Sequence, residues 1–95
     1  MTPSDTIYRL TMNRDNILAD LNVIFRKLLK NQNIRLSENM TDEDIDDWDS
    51  LAHIQIVVAI ETLYHIRFTT GEIQKQRSIR NLLDIIEPKL AARHN

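Results

Sequence analysis

Asp46-Asp47-Trp48-Asp49-Ser50-Leu51-Ala52-His53-Ile54 is the stretch that decides the fold. An acidic run meets a serine there, and that serine opens the most apolar helical segment of the chain. Six of the eight positions from Asp42 to Asp49 are carboxylates, so a charge cluster, a reactive-type hydroxyl and an element boundary coincide. Asp49 and Ser50 are both good N-cap residues. The helix they open is expected to run from Asp49 or Ser50 to about His65. Ile56, Ile60 and Tyr64, with Val57 and Leu63 beside them, form its expected core face. Leu51, Ile54 and Val58 lie on another side, near Gln55 and Thr62. That is more apolar circumference than one core contact uses, and an exposed apolar helix face usually has a partner.

Upstream, Ile17, Leu21, Ile24, Phe25 and Leu28 recur on a single face, which predicts a helix over about 13–31. Leu18 and Leu29 widen that stripe. Residues 32–48 carry no sustained period, and Ile34, Leu36, Met40 and Ile45 stand apart as side chains that pin a long loop to the core. Loops beyond about 12–15 residues are uncommon in compact domains unless they serve a function. Trp48, the sole tryptophan, reads as an anchor that plugs this loop onto the core.

Downstream, Thr69 with Glu72 has the spacing of a capping box and predicts a short helix over about 70–75. Ser78 caps a last helix in which Ile79, Leu82, Leu83, Ile86 and Leu90 repeat one face. Pro88 lacks an amide donor and crowds the preceding turn, which predicts a kink or an end near Glu87. Residues 1–12 form an N-terminal extension, as a frayed tail or an extra turn. Residues 13–92 form the domain, and 93–95 a frayed tail.

Composition narrows the function classes. At 95 residues with 42% hydrophobic content, the chain suits one small domain with a modest core rather than a deep catalytic cavity. A single glycine and two prolines supply little for hairpin turns, which favours an all-α fold. Cysteine is absent, so the chain has no thiol nucleophile or ligand and no disulfide. No apolar run approaches the roughly 18–20 residues that span a bilayer, and Met1 to Leu10 lacks the features of a secretory signal. A cytoplasmic location is the expectation. The acid cluster would repel phosphates, which argues against nucleic acid.

The candidate sites separate on their chemistry. Asp42, Asp44 and Asp46 alternate as in a calcium loop, but the sixth and twelfth positions hold Asp47 and His53 instead of Gly and Glu. His53, His65 and His94 offer no metal spacing and read as surface or boundary residues; no metal site is expected. Ser50 and His53 share a helical spacing, yet no orienting acid or oxyanion motif accompanies them. Ser50 reads either as a plain helix cap or as a modified hydroxyl, which a helix N-terminus suits when the added group is a phosphodiester.

At Asp49-Ser50-Leu51 the chain resembles acyl carrier proteins and the related carrier domains of polyketide and non-ribosomal peptide systems. The resemblance runs from about Ile17 to Leu90. It includes the amphipathic first helix, the long loop, Asp-Ser-Leu opening the second helix and Ala59-Ile60-Glu61 within it. Tyr64-His65-Ile66-Arg67-Phe68 follows, then the short third helix and the apolar pattern Ile79 to Ile86. It implies a monomeric, non-enzymatic four-helix bundle with a long loop between helices 1 and 2. Ser50 would carry 4′-phosphopantetheine, transferred from coenzyme A by a phosphopantetheinyl transferase with magnesium. The arm's thiol would hold acyl groups as thioesters.

The resemblance further implies ligases, synthases and acyltransferases as partners, met by Asp49, Leu51, Ile54 and Val58; the acid run adds Asp46 and Asp47 as residues expected to guide a basic partner. Asp47 and His65 stand where the family often has glycine. Ala52, Gln55 and Thr62 stand where carriers of primary fatty acid synthesis usually have carboxylates. Trp-Asp-Ser-Leu resembles carriers of specialised fatty acid or polyketide-type pathways. An aminoacyl or peptidyl carrier, an unmodified helical interaction module and a Ser50–His53 hydrolase remain as rival readings.

Overall fold

The structure is a computed structural model, and it describes residues 13–93. The readings made for residues 1–12, His94 and Asn95 lie outside the described residues. Four helices follow one another there: α1 (Arg14–Leu28), α2 (Ser50–Tyr64), α3 (Thr70–Ile73) and α4 (Ile79–Arg93). The all-α bundle with a long first loop and a short third helix is the fold expected from the sequence.

Each helix starts where the sequence offers a cap. The Asn13 side chain accepts from the Asn16 amide at the start of α1. Thr69 and Glu72 form both halves of the capping box of α3. Ser78 Oγ accepts from the Asn81 amide as α4 begins. The Thr69 amide hydrogen bond, ahead of Lys89, holds the Glu72 carboxyl below its usual range. Lys89 reaches Glu72 at 3.0 Å and ties α3 to α4.

The core lies where α1 meets α2 and α4. Ile17, Leu21 and Phe25 from α1, Ile56 and Ile60 from α2, and Ile79, Leu83 and Ile86 from α4 are fully buried in it. Tyr64 adds a polar cross-link, donating its hydroxyl to Asp20 on α1 at 2.6 Å. At the edge, Arg14 binds Glu38, Asp84 and Glu87 together and clasps the start of α1 to the loop and to α4. Asp84, then Glu38, raises the guanidinium's pKa further above its ordinary value.

Two expectations are corrected here. α4 does not end near Glu87; it continues through Pro88, Ala91 and Ala92 to Arg93. Pro88 and Asp84 are both exposed, so the carbonyl that Pro88 cannot serve lies on the side facing water. Leu90, 3% exposed, holds the last turn to the core. Leu63 is not on the core face of α2 and stands half exposed, while Ala52 and His53 are buried instead.

The long loop is pinned as its isolated apolar residues suggest, with Ile34, Leu36 and Ile45 buried and Met40 partly so. Side chains of α1 hold its backbone: Arg26 Nε donates to the Ile34 carbonyl and Asn22 Oδ1 accepts from the Leu36 amide. Further on, Thr41 and Ser78 form an isolated antiparallel bridge. The Asp42 amide donates to the Arg77 carbonyl, and the Ile79 amide to the Met40 carbonyl.

Asp47 (φ 71°) and His65 (φ 55°), at the positions where glycine was to be expected, both adopt left-handed backbone. A non-glycine side chain there costs about 1–2 kcal/mol, partly offset by the greater freedom glycine has when unfolded. His65→Gly is therefore expected to stabilise the protein by about 1 kcal/mol. A urea titration would register this as a higher midpoint with unchanged slope.

Candidate functional site around Ser50

Asp49, not Ser50, caps α2. Its backbone is extended and its carboxylate accepts from the Ala52 amide at 2.8 Å. Ser50 is consequently the first helical residue, exposed, with its hydroxyl released from capping. The hydroxyl instead meets Arg77, whose Nη1 donates to Ser50 Oγ at 3.3 Å. Arg77 comes from the α3–α4 connection and is oriented by Asp42, which accepts from its Nε at 3.0 Å.

Below the hydroxyl the loop is nailed to the core. Trp48 is 3% exposed and stands edge-on to Phe25, with ring centroids 4.9 Å apart at 88°. Its Nε1–H donates to His53 Nδ1 at 3.2 Å in the buried interior. Indole nitrogen can only donate, so Nδ1 is the unprotonated nitrogen and the imidazole is neutral. Burial lowers the His53 pKa first and the charge of Arg77 lowers it further, against smaller opposing effects of the Ile73 backbone and Asp42.

His53 corrects the surface or boundary reading given to all three histidines: it is 5% exposed. It is also no partner for Ser50, because Nδ1 already accepts from Trp48 and the ring is enclosed. The Ser50–His53 hydrolase loses its base. The signal was available, since His53 precedes Ile56 and Val57 by three and four residues on the inner face of α2.

Asp46, Asp47 and Asp49 are exposed beside Ser50, and Leu51, Ile54 and Val58 are exposed at 69%, 47% and 52% along α2. Ala52 separates from this group and turns inward. Asp44 is occupied locally, accepting from the Thr41 amide, and Asp42 is occupied by Arg77. Among the described residues no group of three or more His, Asp or Glu is arranged to hold a metal ion. No helix among them is long and apolar enough to cross a membrane. Arg77 was not singled out by sequence, and no local pattern marks a lone arginine that acts across 27 positions.

A small all-α bundle that presents a serine hydroxyl at the mouth of an apolar helix is a carrier-type architecture. Comparison with known proteins gives no matching family model and no matching curated protein. Among solved structures, the solution NMR structure of holo acyl carrier protein from Geobacter metallireducens is similar. It shares 38% sequence identity over 80% of this chain and 87% of that one, with a TM-score of 0.73. The chain belongs to the acyl carrier protein family, whose members are non-catalytic carriers.

The neutral, buried His53 makes stability depend on pH. The unfolded imidazole takes up a proton below about pH 6.5, while the folded one resists, so stability is full above that value and falls as pH drops. Denaturation of the parent should show this loss over the window that opens at about pH 6.5 and runs downward. His53→Gln keeps an acceptor for the indole and cannot titrate, so its profile over that window should be flatter.

Proposed function

We propose that the protein is a free-standing carrier that bears 4′-phosphopantetheine on Ser50. The observation that carries this reading is the division of labour at the start of α2. Asp49 supplies the cap, so the neighbouring serine is exposed with no capping role to account for it. That also weakens the rival interaction module in which Ser50 is only a cap.

The residues around the hydroxyl suit the group. A phosphodiester on Ser50 would sit at the positive end of α2 and beside the Arg77 guanidinium. When bound, the arm ends in a thiol that holds acyl groups as thioesters, a sulfur this cysteine-free chain lacks. The chain itself orients the hydroxyl and keeps it in water. Among the described residues His53 is enclosed and Ser50 Oγ meets only the Arg77 guanidinium, so the hydroxyl proton is left to the phosphopantetheinyl transferase that draws on coenzyme A.

Partner enzymes, among them acyl or aminoacyl ligases, synthases and acyltransferases, would meet two features. Leu51, Ile54 and Val58 give α2 an apolar strip that burial would stabilise at about 25 cal/mol per Å² of apolar surface. Asp46, Asp47 and Asp49 give a negative rim that speeds encounter with a basic enzyme. The acids stand ahead of the serine, while Ala52, Gln55 and Thr62 leave the helix nearly uncharged. That distribution supports a specialised fatty acid or polyketide-type pathway. An aminoacyl or peptidyl carrier is the second reading, distinguished by which ligase loads the arm. We take the carrier to be a cytoplasmic monomer.

Incubation with coenzyme A and a transferase is expected to add one phosphopantetheine mass to the parent and none to Ser50→Ala. A parent that gains no adduct, or an adduct that persists in Ser50→Ala, would sink the reading. Neutralising Asp46, Asp47 and Asp49 together should weaken binding to a basic transferase at low salt. Raised salt should narrow the gap between mutant and parent.

A further inference from the structure

We infer that Arg77 is the phosphate-binding residue of the prosthetic arm, holding the phosphodiester on Ser50 against the body of the domain. This inference rests on the carrier reading of Ser50. It goes further in naming the side chain that receives the arm's charge.

Three observations carry it. First, the surroundings of Ser50 are hostile to an anion: Asp42, Glu43, Asp44, Asp46, Asp47 and Asp49 all precede it. A phosphodiester adds a permanent negative charge to that cluster, and Arg77 is the cation the fold brings to the hydroxyl. Second, Arg77 is delivered there by a built connection rather than by chance of a long side chain. The Thr41–Ser78 bridge and the bonds from Asp42 to the Arg77 carbonyl and from Ile79 to the Met40 carbonyl fix its backbone. Asp42 then fixes its Nε.

Third, the donor is better than its present acceptor. A guanidinium carries five N–H donors in a rigid fork suited to phosphate, and Asp42 takes the Nε edge. Nη1 reaches Ser50 Oγ at 3.3 Å, a long contact to a neutral oxygen. Hydrogen bonds from arginine to a charged oxygen are shorter and roughly twice as strong. The unesterified oxygens of a phosphodiester lie two bonds beyond the hydroxyl oxygen that Nη1 already faces. A purely structural Arg77, latching the loop through Asp42, has no use for that second contact.

The test uses the whole protein, made holo with coenzyme A and a transferase, with conversion read by mass. In the unsubstituted protein, the Arg77 side-chain ¹⁵N resonances are expected to shift on conversion from apo to holo. The ³¹P resonance of the arm should move in Arg77→Gln relative to parent and move less in Arg77→Lys, which keeps the charge. Arg77 resonances identical in apo and holo protein would overturn the assignment, as would a ³¹P resonance unchanged in Arg77→Gln. A structural latch alone would lower the melting temperature of Arg77→Gln and leave both resonances where they were. The apo–holo comparison needs no variant, so misfolding of Arg77→Gln cannot shelter the idea. Failure of the folded parent to gain the arm overturns the carrier reading itself, a different and separately visible result.

Discussion

Trp48 in its buried position is the interaction on which the rest of the molecule depends. Its ring packs edge-on against Phe25 of α1, and its N–H meets His53 of α2. One side chain thereby joins the loop to two helices immediately before the residue that caps α2. Apart from that anchor, the apolar side chains that seat the loop on the core are Ile34, Leu36, Ile45 and part of Met40. With it, Asp49 is set in register to cap α2 and the hydroxyl of Ser50 faces outward. The exposed end of the domain is thus shaped from inside, by an aromatic pair and one neutral imidazole.

The same economy of contacts explains the two faces of α2. Ile56, Val57, Ile60 and Tyr64 satisfy the bundle, and His53 and Ala52 complete the inner side. What remains outward is still apolar, with Leu51, Ile54, Val58 and Leu63 exposed among the described residues. A helix hydrophobic around most of its circumference is either deeply buried or met by a second surface. In a domain this small the strip stays exposed at Leu51, Ile54 and Val58, and the carboxylates before Ser50 border it.

Much of this was legible in the sequence, for identifiable reasons. Helical spacing gave α1 and α4 their inner faces, Ser78 as a cap gave the start of α4, and Thr69 with Glu72 announced α3. Trp48 as an anchor followed from its place at a loop's end. The misreadings have a common origin in what a local pattern leaves out. Leu63 fits the spacing of the core face as well as its neighbours do, yet it stands half exposed. Pro88 is a helix breaker in isolation, yet Leu90 and the exposed carbonyl of Asp84 allow the helix to pass. His53 looked like a boundary residue because its partner, Trp48, approaches from a loop without periodicity. Arg77 beside Ser50 has no local signal at all. It depends on a single backbone bridge between segments that no pattern relates.

The position of Trp48 has a practical consequence as well. It is the sole tryptophan of the chain, buried two residues before Ser50 and hydrogen-bonded to a titratable ring. The domain therefore carries a native fluorophore close beneath the exposed serine. Loosening of the loop would bring water to the indole, and protonation of His53 would set a cation beside it. Each event alters emission without any label, so the light from one residue reports on the end of the molecule that carries Ser50.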